Sequence, residues 1–222
     1  MKIIFFLLIS ITVLGQSKPI ELKIDSLTSS NTDDGRRKFT LQYHITNLSD
    51  KPVSFVLNTN SLIPIGAGSL NPAVYYKLYE NESSVDVSGI FTTTKGTRYF
   101  KDEAEYKRFE DSMTIALKNR TPEDKAQKRK ALFLNNIQTL KANETKHFTE
   151  ELIWDKKRYH RNDVIEYYIQ ENEKHFFELH INLMSEELMM NFTEEEKKEL
   201  LKDKALTKGW FTSNKVEINL SE

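Results

Sequence analysis

The sequence predicts a mainly β protein, α+β by content: a β-sandwich of about seven to eight strands carrying an inserted helical hairpin (about 101–141) and one further helix (about 193–206). Three observations predict it. Short runs of alternating apolar and polar residues recur between clusters of turn-forming residues, as in 39–57. The apolar period lengthens to about three and a half in only two stretches of the chain. Strand patterns also stand near both ends, which favours one domain at 16–222 over two.

The opening segment MKIIFFLLISITVLG carries a positive charge at Lys2, an apolar run, and small residues around Val13 and Gly15. That pattern is a secretory signal peptide (1–15) cleaved near Gly15, and it implies a periplasmic or extracellular protein. The run is shorter than the ~20 residues a membrane-spanning helix needs, and no later run is as long, so no transmembrane segment is expected. With no cysteine, the chain has no disulfide framework, thiol nucleophile, cysteine-ligated zinc or lipoprotein anchor. Lys and Arg total 32 against 33 Asp and Glu, so no net field selects nucleic acid as a partner. Thirteen Phe and nine Tyr imply an ordered core beneath a charged surface.

The first strand is PIELKIDSL (19–27), where Ile20, Leu22 and Ile24 share one face and Leu27 rejoins it after a slip of phase. NTDDGRR is turn chemistry, with Gly35 able to take positive φ at no steric cost. Phe39, Leu41, Tyr43 and Ile45 then point inward, while Thr40, Gln42, His44 and Thr46 point outward. After NLSDKP, a third strand turns Val53, Phe55 and Leu57 inward. AVYYKLYE (73–80) and VDVSGIFTT (85–93) supply the fourth and fifth.

DEAEYKRFEDSMTIALKN (102–119) places Tyr106, Phe109, Met113, Ala116 and Leu117 on one helical stripe, with acids in the first turn where the helix dipole favours them. TPED opens a second helix: Thr121 caps, Pro122 fits the first turn and Asp124 closes the capping box. Its stripe runs through Ala126, Phe133, Ile137 and Leu140. Each stripe needs a neighbour to bury it.

Strand character returns at 144–155 and in HFFELHINL (175–183), which buries Phe177, Leu179, Ile181 and Leu183. Residues 162–170 fit either a helix or a strand. Helix 193–206 has a capping box from Thr193 to Glu196, and NKVEINL (214–220) closes the chain with Val216, Ile218 and Leu220 inward.

FTLQYHITNLSDKPVSF (39–55) resembles the second strand, corner and third strand of immunoglobulin-like domains in exported, mostly uncharacterised bacterial proteins, and GWFTSNKVEINL (209–220) resembles their final strand. The resemblance implies an immunoglobulin-like sandwich and a corner that crosses between sheets, with Gln42 and His44 on one outer face and Ser54 and Val56 on the other. It implies no particular activity, since this architecture carries many. The chain departs from it in 98–142 and 184–210.

No HExxH, GxSxG, GxxxxGK[ST] or GxGxxG sequence occurs, and no catalytic residue, metal site or cofactor is assigned. The histidines are scattered. His175 and His180, five apart on one strand, face opposite sides and cannot share a metal ion; His44 and His180 both take outward registers and are candidates for a common patch. Acid pairs such as Glu150 and Glu151 read as solvated surface.

Binding candidates are three. The connection 59–73 carries Leu62, Ile63, Ile65 and Leu70 between Pro and Gly residues, as a loop that either covers the core or enters a partner's groove. Basic residues gather in the insert at Lys118, Arg120, Lys125, Lys128, Arg129 and Lys130 and in 156–161, with glutamates at 186–199; these are helix faces in water, drawn to one another within the fold, or a surface for an anionic glycan or an acidic protein face. Trp154, Tyr159, Trp210 and Phe211, beside Arg158 and Arg161, would suit stacking on sugar rings if exposed, but core packing is the favoured account of both tryptophans.

The expectation is a non-enzymatic, exported binding or assembly module that contacts another envelope or secreted protein through loops and insert. The alternative is a module binding carbohydrate, in particular an anionic polysaccharide. Third is a loop-mediated protease inhibitor or an enzyme.

Overall fold

The computed structural model describes residues 19–33, 35–65, 72–85, 91–93, 100–154, 173–183, 189–201 and 206–220. The expected signal peptide, Leu70 and the 156–172 stretch lie outside the described residues. The fold is β-rich α+β, with three helices and several sheets among the described residues.

Strands β1 (Ile20–Asn31), β2 (Arg37–Asn47), β9 (Thr145–Trp154) and β7 (Phe91–Thr93) form an antiparallel sheet in the order β1-β2-β9-β7. A second sheet runs β11 (Gly209–Thr212), β10 (His175–Leu183), β5 (Ala73–Glu80), β4 (Asn58–Pro64), with β12 (Val216–Ile218) also on β10 and β6 (Ser83–Val85) also on β5. Strands β3 (Val53–Val56) and β8 (Ile137–Leu140) pair with each other. Between β7 and β8 come helices α1 (Glu103–Lys118) and α2 (Pro122–Asn135), and α3 (Glu194–Leu201) lies between β10 and β11.

Alternation in β2 decides which face is inside: Phe39, Leu41, Tyr43 and Ile45 are at most 1% exposed. They share one core with Tyr76, Leu78, Phe177, Leu179 and Ile181 of the second sheet. Phe91 joins the two faces, with its ring edge-on to Phe39, Tyr76 and Phe177 at 5.7, 5.6 and 6.1 Å. Truncating such a side chain would cost about 3–5 kcal/mol. The slip of phase in β1 is a β-bulge: the register on β2 shifts between Ile24 and Ser26. In the following turn Gly35 takes φ 77° and donates to the Thr32 carbonyl at 3.0 Å.

Residues 39–58 form a corner, since β2 pairs with β1 and β9 while β3 pairs with β8. Asn47, fully buried, holds the corner. Its Nδ2 donates to the carbonyls of Lys51 and Lys141 at 2.7 and 2.8 Å, and its Oδ1 accepts from Ser49 N and Oγ at 2.9 and 2.8 Å.

At the other end of the chain β11 and β12 both lie along β10. Ser213 fills the gap between them: its N donates to the Leu179 carbonyl and its Oγ accepts from Leu179 N, both at 2.9 Å. Asn214 then crosses to the other sheet, where its Oδ1 accepts from Ile24 N at 2.8 Å and its Nδ2 donates to Ile24 O at 3.2 Å.

Four expectations are corrected. Residues 58–64 are not a loop but strand β4, parallel to β5. Ile137 and Leu140 leave the α2 stripe for β8, because the helix stops at Asn135 and Asn136 turns the chain. Leu206, placed at the end of the third helix, is instead extended and bridges Ser54, with residues 202–205 outside the described residues. Ser54 and Val56, assigned to an outer face, are buried at 6% and 2% exposure. Val56 belongs to a second apolar cluster with Phe133, Met189 and Phe192, the Phe133 and Phe192 rings 5.2 Å apart, and Ser54 lies beneath the Leu206 bridge with its Oγ 2.9 Å from Thr139 Oγ1.

Among the described residues no helix is long and apolar enough to cross a membrane.

Candidate functional site

Helix α1 is made by its ends. Asp102 caps it by accepting from Glu105 N at 2.8 Å, and Glu105 returns a bond to Lys101 N at 2.9 Å. The Phe100 ring meets those of Tyr106 and Phe109 at 5.3 and 5.2 Å, an apolar clasp over the first turn. Beyond that turn the expected apolar stripe finds no burial. No residue of α1 is buried, and Met113, Ile115 and Leu117 are 39%, 58% and 52% exposed.

Helix α2 has the expected box, with Thr121 Oγ1 accepting from Asp124 N and Asp124 accepting from Thr121 N, at 3.1 and 3.0 Å. These bonds to Thr121 hold the Asp124 carboxyl below its ordinary range. Phe133 anchors the helix in the second cluster, while Leu132 and Leu134 stay exposed. Leu134, Ile137, Phe192, Leu200 and Leu206 line an apolar cleft of about 520 Å³, with Glu196 and Glu199 at its rim. The insert therefore combines an uncovered helix with an apolar cleft beside its partner helix.

The sequence-derived site residues separate. Leu62 is in the core at 5% exposure, because β4 pairs with β5; Ile63 and Ile65 are half-buried. Trp154, in register with Leu152 on β9, is also core, at 5% exposure. Trp210, on β11 opposite Asn182, is 52% exposed. Arg158, Tyr159 and Arg161 lie outside the described residues. The described residues thus supply one exposed tryptophan of the expected platform.

His44 and His180 stand on different sheets and make no common patch, a correction that follows from the pairing of β2 with β9 and of β10 with β5. His180 belongs to a polar group no sequence motif announced. Tyr79 donates to Glu178 Oε2 at 2.6 Å, His180 Nε2 lies 2.9 Å from the same oxygen, and Thr212 Oγ1 is 3.2 Å from His180 Nδ1. Lys215 Nζ sits 3.6 Å over the Tyr79 ring, a cation–π contact. Desolvation and the bond to Glu178 push the Tyr79 phenol up to about 12. Desolvation pushes the His180 imidazole down against the pull of Glu178, and Lys77 and Lys215 push it the same way. Only the alternation of HFFELHINL hinted at this group, by placing Glu178 and His180 on one face.

Compared with known proteins, the chain matches no family model and no curated sequence.

Proposed function

We propose that this chain is an exported, non-enzymatic binding or assembly module on an immunoglobulin-like sandwich, released from its signal peptide near Gly15, whose helical insert meets another envelope or secreted protein. The observation that carries this reading is the exposure of Met113, Ile115 and Leu117 on a helix that buries none of its own residues. Most helical stability in proteins comes from packing an apolar face, and past its first turn α1 has no buried one. Covering its apolar side chains recovers about 25 cal/mol per Å² of apolar surface removed from water, and that gain is what a docking partner would draw on.

A second reading, polysaccharide binding, is favoured by the exposure of Trp210, since an indole face stacks on sugar rings.

The two separate in one experiment. The protein is immobilised and challenged with an extract of its own cell envelope and medium, alongside the triple variant Met113→Ser, Ile115→Ser, Leu117→Ser and the variant Trp210→Ala. Retention of a specific protein that the triple variant loses and Trp210→Ala keeps is the expected result. Retained polysaccharide that is lost only in Trp210→Ala would sink the protein-partner reading.

A further inference from the structure

We infer that Asp25, His44 and His147 form a binding site for a transition-metal dication of the zinc type. None of the three is near another histidine in sequence, and the site exists only because of strand pairing. On the outer face of the first sheet His44 of β2 stands directly opposite His147 of β9, with ring centroids 5.4 Å apart. On the other side of His44 lies β1, whose register breaks between Ile24 and Ser26. Asp25 is the extra residue of that bulge. Bulges re-aim a side chain, and this one brings the Asp25 carboxylate to both imidazoles: Oδ1 is 2.7 Å from His44 Nδ1 and Oδ2 is 3.5 Å from His147 Nδ1.

One donor atom from each residue lies within 4.8 Å of the others, a grouping found by geometry among the described residues. A tetrahedral ion with ligands at about 2.0–2.2 Å needs donors roughly 3.4 Å apart, so the widest gap must close by at most about 1.4 Å, while Asp25 Oδ1 and His44 Nδ1, now 2.7 Å apart, must separate to admit the ion. The side chains allow it: His147 is 71% exposed and free to turn toward the ion, while His44 is 13% exposed and held. Two imidazoles and a carboxylate are a borderline nitrogen and oxygen donor set, suited to Zn²⁺, Cu²⁺ or Ni²⁺ rather than to Ca²⁺ or Mg²⁺, which want oxygen alone. Water would complete the fourth position.

Glu21 adds an independent observation. It is on the same face of β1, and its Oε2 is 3.8 Å from His44 Nε2, the nitrogen turned away from Asp25. At that distance it is no hydrogen bond, but a small turn of the exposed Glu21 side chain would let it accept from Nε2 once Nδ1 ligates, the carboxylate–imidazole arrangement that fixes a ligand's tautomer. Lys23, which pairs with His44 across the strands, opposes the charge of one carboxylate. With neutral imidazoles, Glu21, Asp25 and Lys23 leave this face one negative charge to offset the dication.

The test uses the full chain, without a histidine tag, freed of metal by chelator and dialysis. Calorimetric titration with ZnCl₂ is expected to find one site, and histidine NMR is expected to shift the His44 and His147 ring signals together. His147→Gln and Asp25→Asn should each abolish that site, Glu21→Gln should weaken it about 10- to 100-fold, and His180→Gln should leave it intact. Circular dichroism checks that each variant folds; the three positions are on an outer sheet face, and a loss of zinc binding in a folded His147→Gln chain supports the site. No saturable zinc binding by the native chain, or binding undiminished in folded His147→Gln and Asp25→Asn chains, would overturn it.

Discussion

Lys130 on α2 holds Glu196 on α3, with Nζ 2.7 Å from both carboxylate oxygens. The bond to Lys130 is the larger reason the Glu196 carboxyl titrates below its ordinary range, and the capping bond from Thr193 N, at 2.7 Å, is the second. A depressed folded value means the contribution is complete above the ordinary carboxylate range and is lost as pH falls through the folded value. NMR titration of the Glu196 carboxylate carbon should therefore show a low midpoint that rises in Lys130→Met. An unchanged midpoint would leave the link between the helices without energetic content.

Asn47 should be intolerant of its nearest relatives. Asn47→Asp keeps the shape but turns a carboxylate on the carbonyls of Lys51 and Lys141, and Asn47→Ala removes four bonds and strips the Ser49 amide of its acceptor, while Ser49 Oγ still reaches the Lys51 carbonyl and Glu144 N the Lys141 carbonyl. At about 1–3 kcal/mol for a group left unpaired or a charge set against buried carbonyls, either variant should lose about 1–3 kcal/mol. Urea unfolding would show it as a lower midpoint at unchanged slope. A midpoint within error of the native one would mean the corner does not depend on this side chain.

Asn214→Ala removes both bonds to Ile24, and about 1–2 kcal/mol is the expected loss. Hydrogen exchange locates it: the Ile24 amide, which donates to Asn214, should exchange much faster in the variant, while amides in the middle of β10 keep their protection. Equal acceleration everywhere would mean a global effect instead of a local clasp.

His180 is held down in its titration chiefly by desolvation. With a folded value below the unfolded one, stability is full above the unfolded value, near 6.5, and declines as pH falls toward the folded value. Denaturation series from pH 8 to pH 5 should accordingly slope less steeply for His180→Gln than for the native chain. Parallel curves would show that Glu178 fully offsets the desolvation.

The parts of the fold that were legible in sequence are those settled by local chemistry. The capping boxes at Thr121 and Thr193, the positive φ of Gly35 and the inward register of Phe39 to Ile45 each depend on residues within a turn or a strand of one another. Strand β4 was illegible because a parallel neighbour is ordinarily reached by a crossover of a dozen or more residues, and only 65–72 separate it from β5. Ser54 and Val56 defeated the two-sided reading of β3 because residues far along the chain, Met189, Phe192 and Leu206, cover its outer side. His44, His147 and Asp25 were invisible as a group for a similar reason: register between strands is a property of the fold, and a bulge displaces one residue without changing its letter.

The clasp between Ile24 and Asn214 spans 190 positions of sequence. A chain made from its N-terminus therefore exposes the free edge of its first strand throughout nearly all of its synthesis, and nothing made earlier supplies the two bonds that Asn214 brings. Any truncation before residue 214 removes both bonds to Ile24 and leaves that stretch of β1 a bare edge, open to pairing with another chain.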